Sequence, residues 1–299
     1  MKNTSKNLIA KLALLGASII WGSSFLIVKT SVDMISPNTL LGIRFTIACL
    51  LLGFIFFKRL KNINKEYFLG GGLLGTFLFI AYSIQTIGIT DTTPGKNAFL
   101  TAIYCVLVPF IYWIVDKKRP DIYNFSAGIL AITGIGLVSL DQIFNIRMGD
   151  TLSLISGIFY AIHMVAVARI QKDKDPVLIT IIQFAFAAVF SWITAFIFED
   201  MPSVWNQSLI LGLLYLSIFC TAVALLLQNI GQKYTKPAQA SIILSLESVF
   251  GVIFSVMLYH EEINIKLMIG FLFIFIAILI SEIKPSFFTS FRKAKEVEL

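Results

Sequence analysis

Ten apolar stretches, each roughly 17 to 25 residues long and centred near residues 19, 48, 78, 106, 131, 160, 187, 220, 248 and 274, divide the chain, with short charged clusters between them. That is the length a helix needs to cross the hydrocarbon of a bilayer. Of 299 residues, 57% are hydrophobic and 14% charged, whereas a soluble domain carries about 25% charge. The pattern predicts an all-α integral membrane protein of ten transmembrane helices. The first stretch, "LALLGASIIWGSSFLIVK", follows a basic start but lacks a small-residue cleavage site and precedes nine more spans, so it reads as a retained helix, not a signal peptide.

Charge fixes an expected orientation. With the N-terminus inside, 19 Lys and Arg fall on the cytoplasmic side, against four (Lys29, Lys96, Arg147 and Lys266) on the other, and Arg44 sits within a span. The positive-inside rule then places both termini in the cytoplasm of a multi-pass protein of the cell membrane. The net charge of +7 follows topology and forms no basic module of the kind that binds nucleic acid. Cys49, Cys105 and Cys220 all lie in expected spans and are odd in number, so they suggest packing residues and neither disulfides nor a zinc cluster.

The chain also repeats itself. "QTIGITDTTP" (85–94) and "QNIGQKYTKP" (228–237) share Q-x-I-G-x-x-x-T-x-P at an offset of 143. "PNTLLGIRFTIA" from Pro37 and "PVLITIIQFAFA" from Pro176 share Pro, Phe and Ala at an offset of 139, with Arg44 matched to Gln183. Two registered motifs in the same order imply homologous halves of five spans each, 1–144 and 145–284, followed by a basic cytoplasmic tail, 285–299. Five is odd, so the second half enters from the opposite side. Inverted repeats that enclose a central cavity are a feature of secondary transporters.

"IIWGSSFLIVK", the P-x6-R of the second span, "GKNAFLTAIYCVLVPF" and "SIILSLESVFGVIFSVMLYHEEINIKLMIGFLFIFIAILIS" together resemble the EamA-type repeat of the drug/metabolite transporter (DMT) superfamily, over nearly the whole chain. The resemblance implies ten helices, both termini inside, a central cavity and movement of small polar metabolites such as amino acids or related compounds, often outward. One departure is visible. Ser248 stands where the family commonly has proline after the glutamate, which removes the reason for a kink after Glu247.

Polar residues inside apolar spans are the candidate site. A charge at mid-membrane costs about 2.5 to 3.5 kcal/mol on insertion scales, so it needs a partner, a wet cavity or an escape to the interface. Arg44 lies about 10 Å past Pro37; it can snorkel, tie helices together or act on solute. Glu247 lies about 15 Å past Pro237, too deep for a short carboxylate to reach bulk water. It is either a neutral tie between helices, a proton-binding coupling group, or the counter-ion of a cationic solute. Its partner by repeat offset is Tyr104. His163, about 18 Å into its span, is a packing residue or a proton switch. Trp21, Tyr82 and Tyr104 are candidate aromatic walls, and Gln85 and Gln228 either join helices or touch solute.

Lys96 follows "GITDTTPG", whose spacing departs from a phosphate loop and which no strand supports, so no nucleotide site is expected. Lys96 either attracts anions or anchors its helix. Two histidines do not suggest a metal site, and no cofactor is expected. No catalytic clustering of His, Asp or Cys suggests an enzyme. The expected function is a secondary transporter, with a channel-like or facilitative permease, or a membrane scaffold, as the alternative. Its expected partners are a small-molecule solute, the lipid bilayer and protons as candidate coupling ion, in a monomer or weak homo-oligomer.

Overall fold

The computed structural model describes residues 2–117, 119–139, 146–202, 205–235 and 237–283. The expected junction between the halves at 144/145, several counted basic residues (Lys118, Lys236, Lys284) and the tail 285–299 lie outside the described residues. The described residues form α1 (Lys2–Val32), α2 (Pro37–Ile55), α3 (Phe57–Leu60), α4 (Lys65–Gly88), α5 (Pro94–Thr101), α6 (Tyr104–Asp116), α7 (Ile122–Ser139), α8 (Met148–Ile170), α9 (Pro176–Phe198), α10 (Gln207–Tyr215), α11 (Ala224–Tyr234), α12 (Pro237–Tyr259) and α13 (Ile265–Ile283). A π-helical segment, Leu216–Val223, joins α10 to α11.

Eight spans among the described residues are long and apolar enough to cross a membrane, and Ile243–Tyr259 and Ile265–Ile280 are shorter apolar helical stretches. Large apolar side chains such as Phe54, Ile132 and Phe198 stand exposed on the outside of the bundle. Such a surface suits lipid and would not suit water.

Local chemistry explains where the helices start. Pro37, Pro94, Pro176 and Pro237 open α2, α5, α9 and α12, where a missing N–H costs nothing and the ring pre-sets φ. Thr93 Oγ1 accepts from Lys96 N and Asp175 from Val177 N. At α2 the N-cap Ser36 offers no side-chain cap. Glu199, at the end of α9, supplies one instead, accepting from the backbone N–H groups of Asn38 and Thr39, each at 2.8 Å. A carboxylate at a helix N-terminus also meets the favourable end of its dipole. Glu261 does the same for α5 through Gly95 N, at 3.0 Å.

Two helical lines are interrupted, and both interruptions border the site. The expected fourth span breaks at Ala102–Ile103, between α5 and α6. The eighth span loosens into the π segment, where Thr221 Oγ1 donates to Leu216 O, five residues back. Short π segments recur at functional sites because they re-aim side chains and carbonyls. α12, by contrast, runs unbroken through Glu247 and Ser248, as expected without the proline.

The main packed pairs are α1 with α12 and α11, α2 with α9 and the π segment, α4 with α8 and α9, α5 with α8 and α12, α6 with α8, and α7 with α13. Glycine permits the closest of these. A Cβ on Gly22 of α1 would lie 2.3 Å from Phe250 Cβ and 3.1 Å from Glu247 O on α12. Small residues at a crossing let two backbones approach where lipid offers no hydrophobic drive. The contact therefore presses Glu247 against the first helix.

Candidate functional site

Between these pairs lies a cavity lined by apolar and aromatic side chains with a few convergent polar groups, the make-up of a small-molecule site. Eight of the ten sequence-selected residues line it: Trp21, Arg44, Tyr82, Gln85, Tyr104, His163, Gln228 and Glu247. They come from α1, α2, α4, α6, α8, α11 and α12, so no single element makes the site.

Arg44 is 2% exposed. Its Nε donates to Thr221 Oγ1 at 3.1 Å, and its guanidinium lies 5.3 Å from the Tyr82 ring centroid. The π segment sets up the first contact by turning Thr221 toward α2. Neither contact neutralises the charge. No ion pair to Arg44 or to Glu247 occurs among the described residues, so the cation and the carboxyl group of the cavity do not pair with each other. A guanidinium held by one hydroxyl and one ring face retains donors for a carboxylate.

Glu247 is 6% exposed, with its carboxyl beside the Tyr104 hydroxyl. Tyr104 stands at the first position of α6, so the break before that helix determines where the hydroxyl lies. Trp21 Nε1 donates to the carbonyl of Cys220 in the π segment at 2.9 Å. Tyr82 packs edge-on against Tyr160 with centroids 5.4 Å apart, and Tyr160 is tilted against Tyr104 at 6.3 Å. Three tyrosines thus form one wall between Arg44 and Glu247.

His163 is 1% exposed. Its Nε2 lies 3.2 Å from Gln183 Oε1, a hydrogen bond in the tautomer that carries Nε2–H. Gln183 consequently stands behind His163 and does not line the cavity. The reason is its full burial on α9, the face packed against α2 and α4. Lys96 also falls outside the cavity. Its Nζ is 3.5 Å from Asp150 Oδ2, so it ties α5 to the start of α8, beside a second, open pocket that it lines.

The sequence reading missed Tyr160, Asn97 and Thr101, which also line the cavity. Tyr160 donates to Gln85 Oε1 at 2.8 Å, and Gln85 Nε2 donates to Thr101 Oγ1 at 3.1 Å. A signal for Tyr160 existed: it is Trp21 carried forward by the 139-residue offset. Among the described residues, no group of three or more His, Cys, Asp or Glu could hold a metal ion.

The sequence matches the model of the EamA-like transporter family twice, over residues 8–140 and 147–282. An uncharacterized transporter of Archaeoglobus fulgidus is 35% identical over 283 residues, covering 93% of this chain and 87% of that protein. The uncharacterized transporter YoaV of Bacillus subtilis is 23% identical over 88% of this chain and 93% of its own. Protein PagO of Salmonella typhimurium is 26% identical over 76% and 77% of the two chains. A solved crystal structure shares the fold with a TM-score of 0.68 at 17% identity, over 92% of this chain and 96% of that one.

Proposed function

The chain belongs to the EamA-like transporter family of the DMT superfamily, and from that premise we propose that it is a secondary transporter exporting small zwitterionic metabolites, amino acids or related compounds, by alternating access. It is a multi-pass membrane protein whose partners are a small solute and the bilayer. The observation that carries the finer reading is the cavity itself. It holds one permanent cation and one carboxyl group that do not pair with each other, separated by a tyrosine wall. A solute with an anionic end for Arg44 and an ammonium end for Glu247 would satisfy both.

Ten helices in two inverted five-helix repeats, 1–144 and 145–284, form the scaffold of this reading, with both termini in the cytoplasm. Two facts support it. The family model matches twice. The packed pairs also map onto themselves when each span is exchanged with the span five places on: α1 with α12 becomes α8 with α5 and α6, and α1 with α11 becomes α8 with α4. The pairs α2 with α9 and α7 with α13 map onto themselves. A site on such an axis can face either side as the halves rock.

Glu247 is assigned the coupling role. Its charge depends on whether water, a solute cation or only Tyr104 stands beside it, and proton movement is thereby linked to exposure of the site. The test is exchange in proteoliposomes of the purified chain loaded with a mixture of labelled amino acids. Saturable flux, stimulated by unlabelled amino acids on the opposite side, is the expected result. Flux that rises linearly with concentration and shows no such stimulation would favour a channel and overturn alternating access.

A further inference from the structure

The cavity is lopsided along the bundle. Its lining reaches Val28 and Ile89, within about one turn of the ends of α1 and α4, but stops at Met164 and Gln228, nearly two turns short of the opposite ends of α8 and α11. The unopened end lies between α8, α9 and α11, and it is not apolar. Gln171 Nε2 donates to the backbone carbonyl of Asn229 at 2.8 Å, and Asn229 Nδ2 donates to Thr180 Oγ1 at 2.6 Å. These bonds fix both amide orientations, so Gln171 Oε1 and Asn229 Oδ1 are acceptors. Neither has a hydrogen-bond partner among the described residues, and the same holds for Gln228 Oε1 and Gln232 Oε1.

Buried polar atoms are almost always paired, and a cluster of exceptions needs a physical account. The repeat register supplies one. The offset of 143 carries Gln85, Thr86 and Ile89 onto Gln228, Asn229 and Gln232. The first three line the cavity near the α4 end, and the second three carry the orphaned acceptors at the α11 end.

We infer that Asn229 and Gln232 of α11, with Gln171, line the second half of the transport path, a polar route that starts at Gln228 on the cavity wall, runs between α8, α9 and α11 and is closed in this structure. It opens toward the Tyr234 end when the half lined by Gln85, Thr86 and Ile89 closes. Its acceptors then meet water or the N–H groups of a passing solute. The route contains no charge among these four residues, so it passes a polar solute without the retention that Arg44 and Glu247 provide. This inference rests on the inverted-repeat transporter reading above.

The test uses the full chain with Cys49, Cys105 and Cys220 replaced by serine, and new cysteines introduced singly at Thr86, Asn229 and Gln232. A membrane-impermeant thiol reagent is applied to whole cells and to inside-out vesicles. Thr86→Cys should react from outside, and Asn229→Cys and Gln232→Cys from the cytoplasmic face. In a Thr86→Cys, Gln232→Cys double variant, a bulky adduct placed first on Thr86→Cys from outside should slow the cytoplasmic reaction about tenfold or more, because it props the outer half open. Gln232, only partly buried, carries the same reading if Asn229→Cys fails to fold. Reaction at Thr86→Cys with silence at both α11 positions would overturn this inference alone. Silence at all three positions from both faces would overturn the transporter reading with it.

Discussion

The Tyr104 hydroxyl lies against the Glu247 carboxyl, and the two residues hold the same register position, 143 residues apart, in the sequence repeat. Tyr104→Phe removes that hydroxyl and keeps the ring against Tyr160. Leaving a buried polar group without its partner costs about 1–3 kcal/mol, so exchange at limiting solute should fall about fivefold or more with protein yield unchanged. In a double-variant cycle with Glu247→Gln, the two losses should be far from additive, since they remove one interaction.

Arg44 answers to a different test. Thr221 and the Tyr82 ring hold it without cancelling its charge. Arg44→Leu should abolish exchange, and Arg44→Lys should retain a small part of it, because an ammonium supplies charge but not the planar fork. Wild-type exchange in Arg44→Leu, measured in the same proteoliposomes, would reduce Arg44 to a structural tie.

Helix packing predicts a stability effect away from the chemistry. Gly22→Ala forces a Cβ to within 2.3 Å of Phe250 Cβ, and overpacking of this kind costs about 1–3 kcal/mol. The thermal midpoint in detergent should fall. Gly53→Ala is the control, because nothing lies within 4 Å of its Cβ. It should leave the midpoint unchanged or raise it, by up to about 1 kcal/mol of stability.

Topology is open to direct labelling. The excess of basic residues on one set of loops predicts that Asp200→Cys, at an exposed position after α9, reacts with an impermeant reagent outside intact cells. Asn62→Cys, exposed between α3 and α4, should react only after permeabilisation. The reverse pattern would invert the orientation assigned here.

The membrane class and the span limits were legible because a spanning helix must be apolar along its length, and Pro37, Pro94, Pro176 and Pro237 mark starts that proline chemistry enforces. The two shared motifs offer a repeat register that pairs Tyr160 with Trp21 and His163 with Ser24 at the 139-residue offset. The interruptions were not. The break before Tyr104 and the π segment are not encoded by a local breaker; the second is stabilised by distant partners, Trp21 on the Cys220 carbonyl and Arg44 on Thr221. Lys96 and Gln183 lie outside the cavity lining, which sequence could not show because it gives a polar residue in a span but not its neighbour. Asp150 takes up the first and His163 the second.

Glu247→Gln, which keeps the shape of the side chain and removes its titration, tests the central claim that a deep carboxyl group couples proton movement to solute movement in an alternating site. Wild-type and variant proteoliposomes are compared for exchange of labelled amino acids at equal pH, and for their accumulation under an imposed pH gradient. The account predicts that the variant still exchanges, with weakened apparent affinity because the ammonium end loses its counter-ion, but no longer accumulates. Accumulation by Glu247→Gln equal to that of the wild type would contradict it.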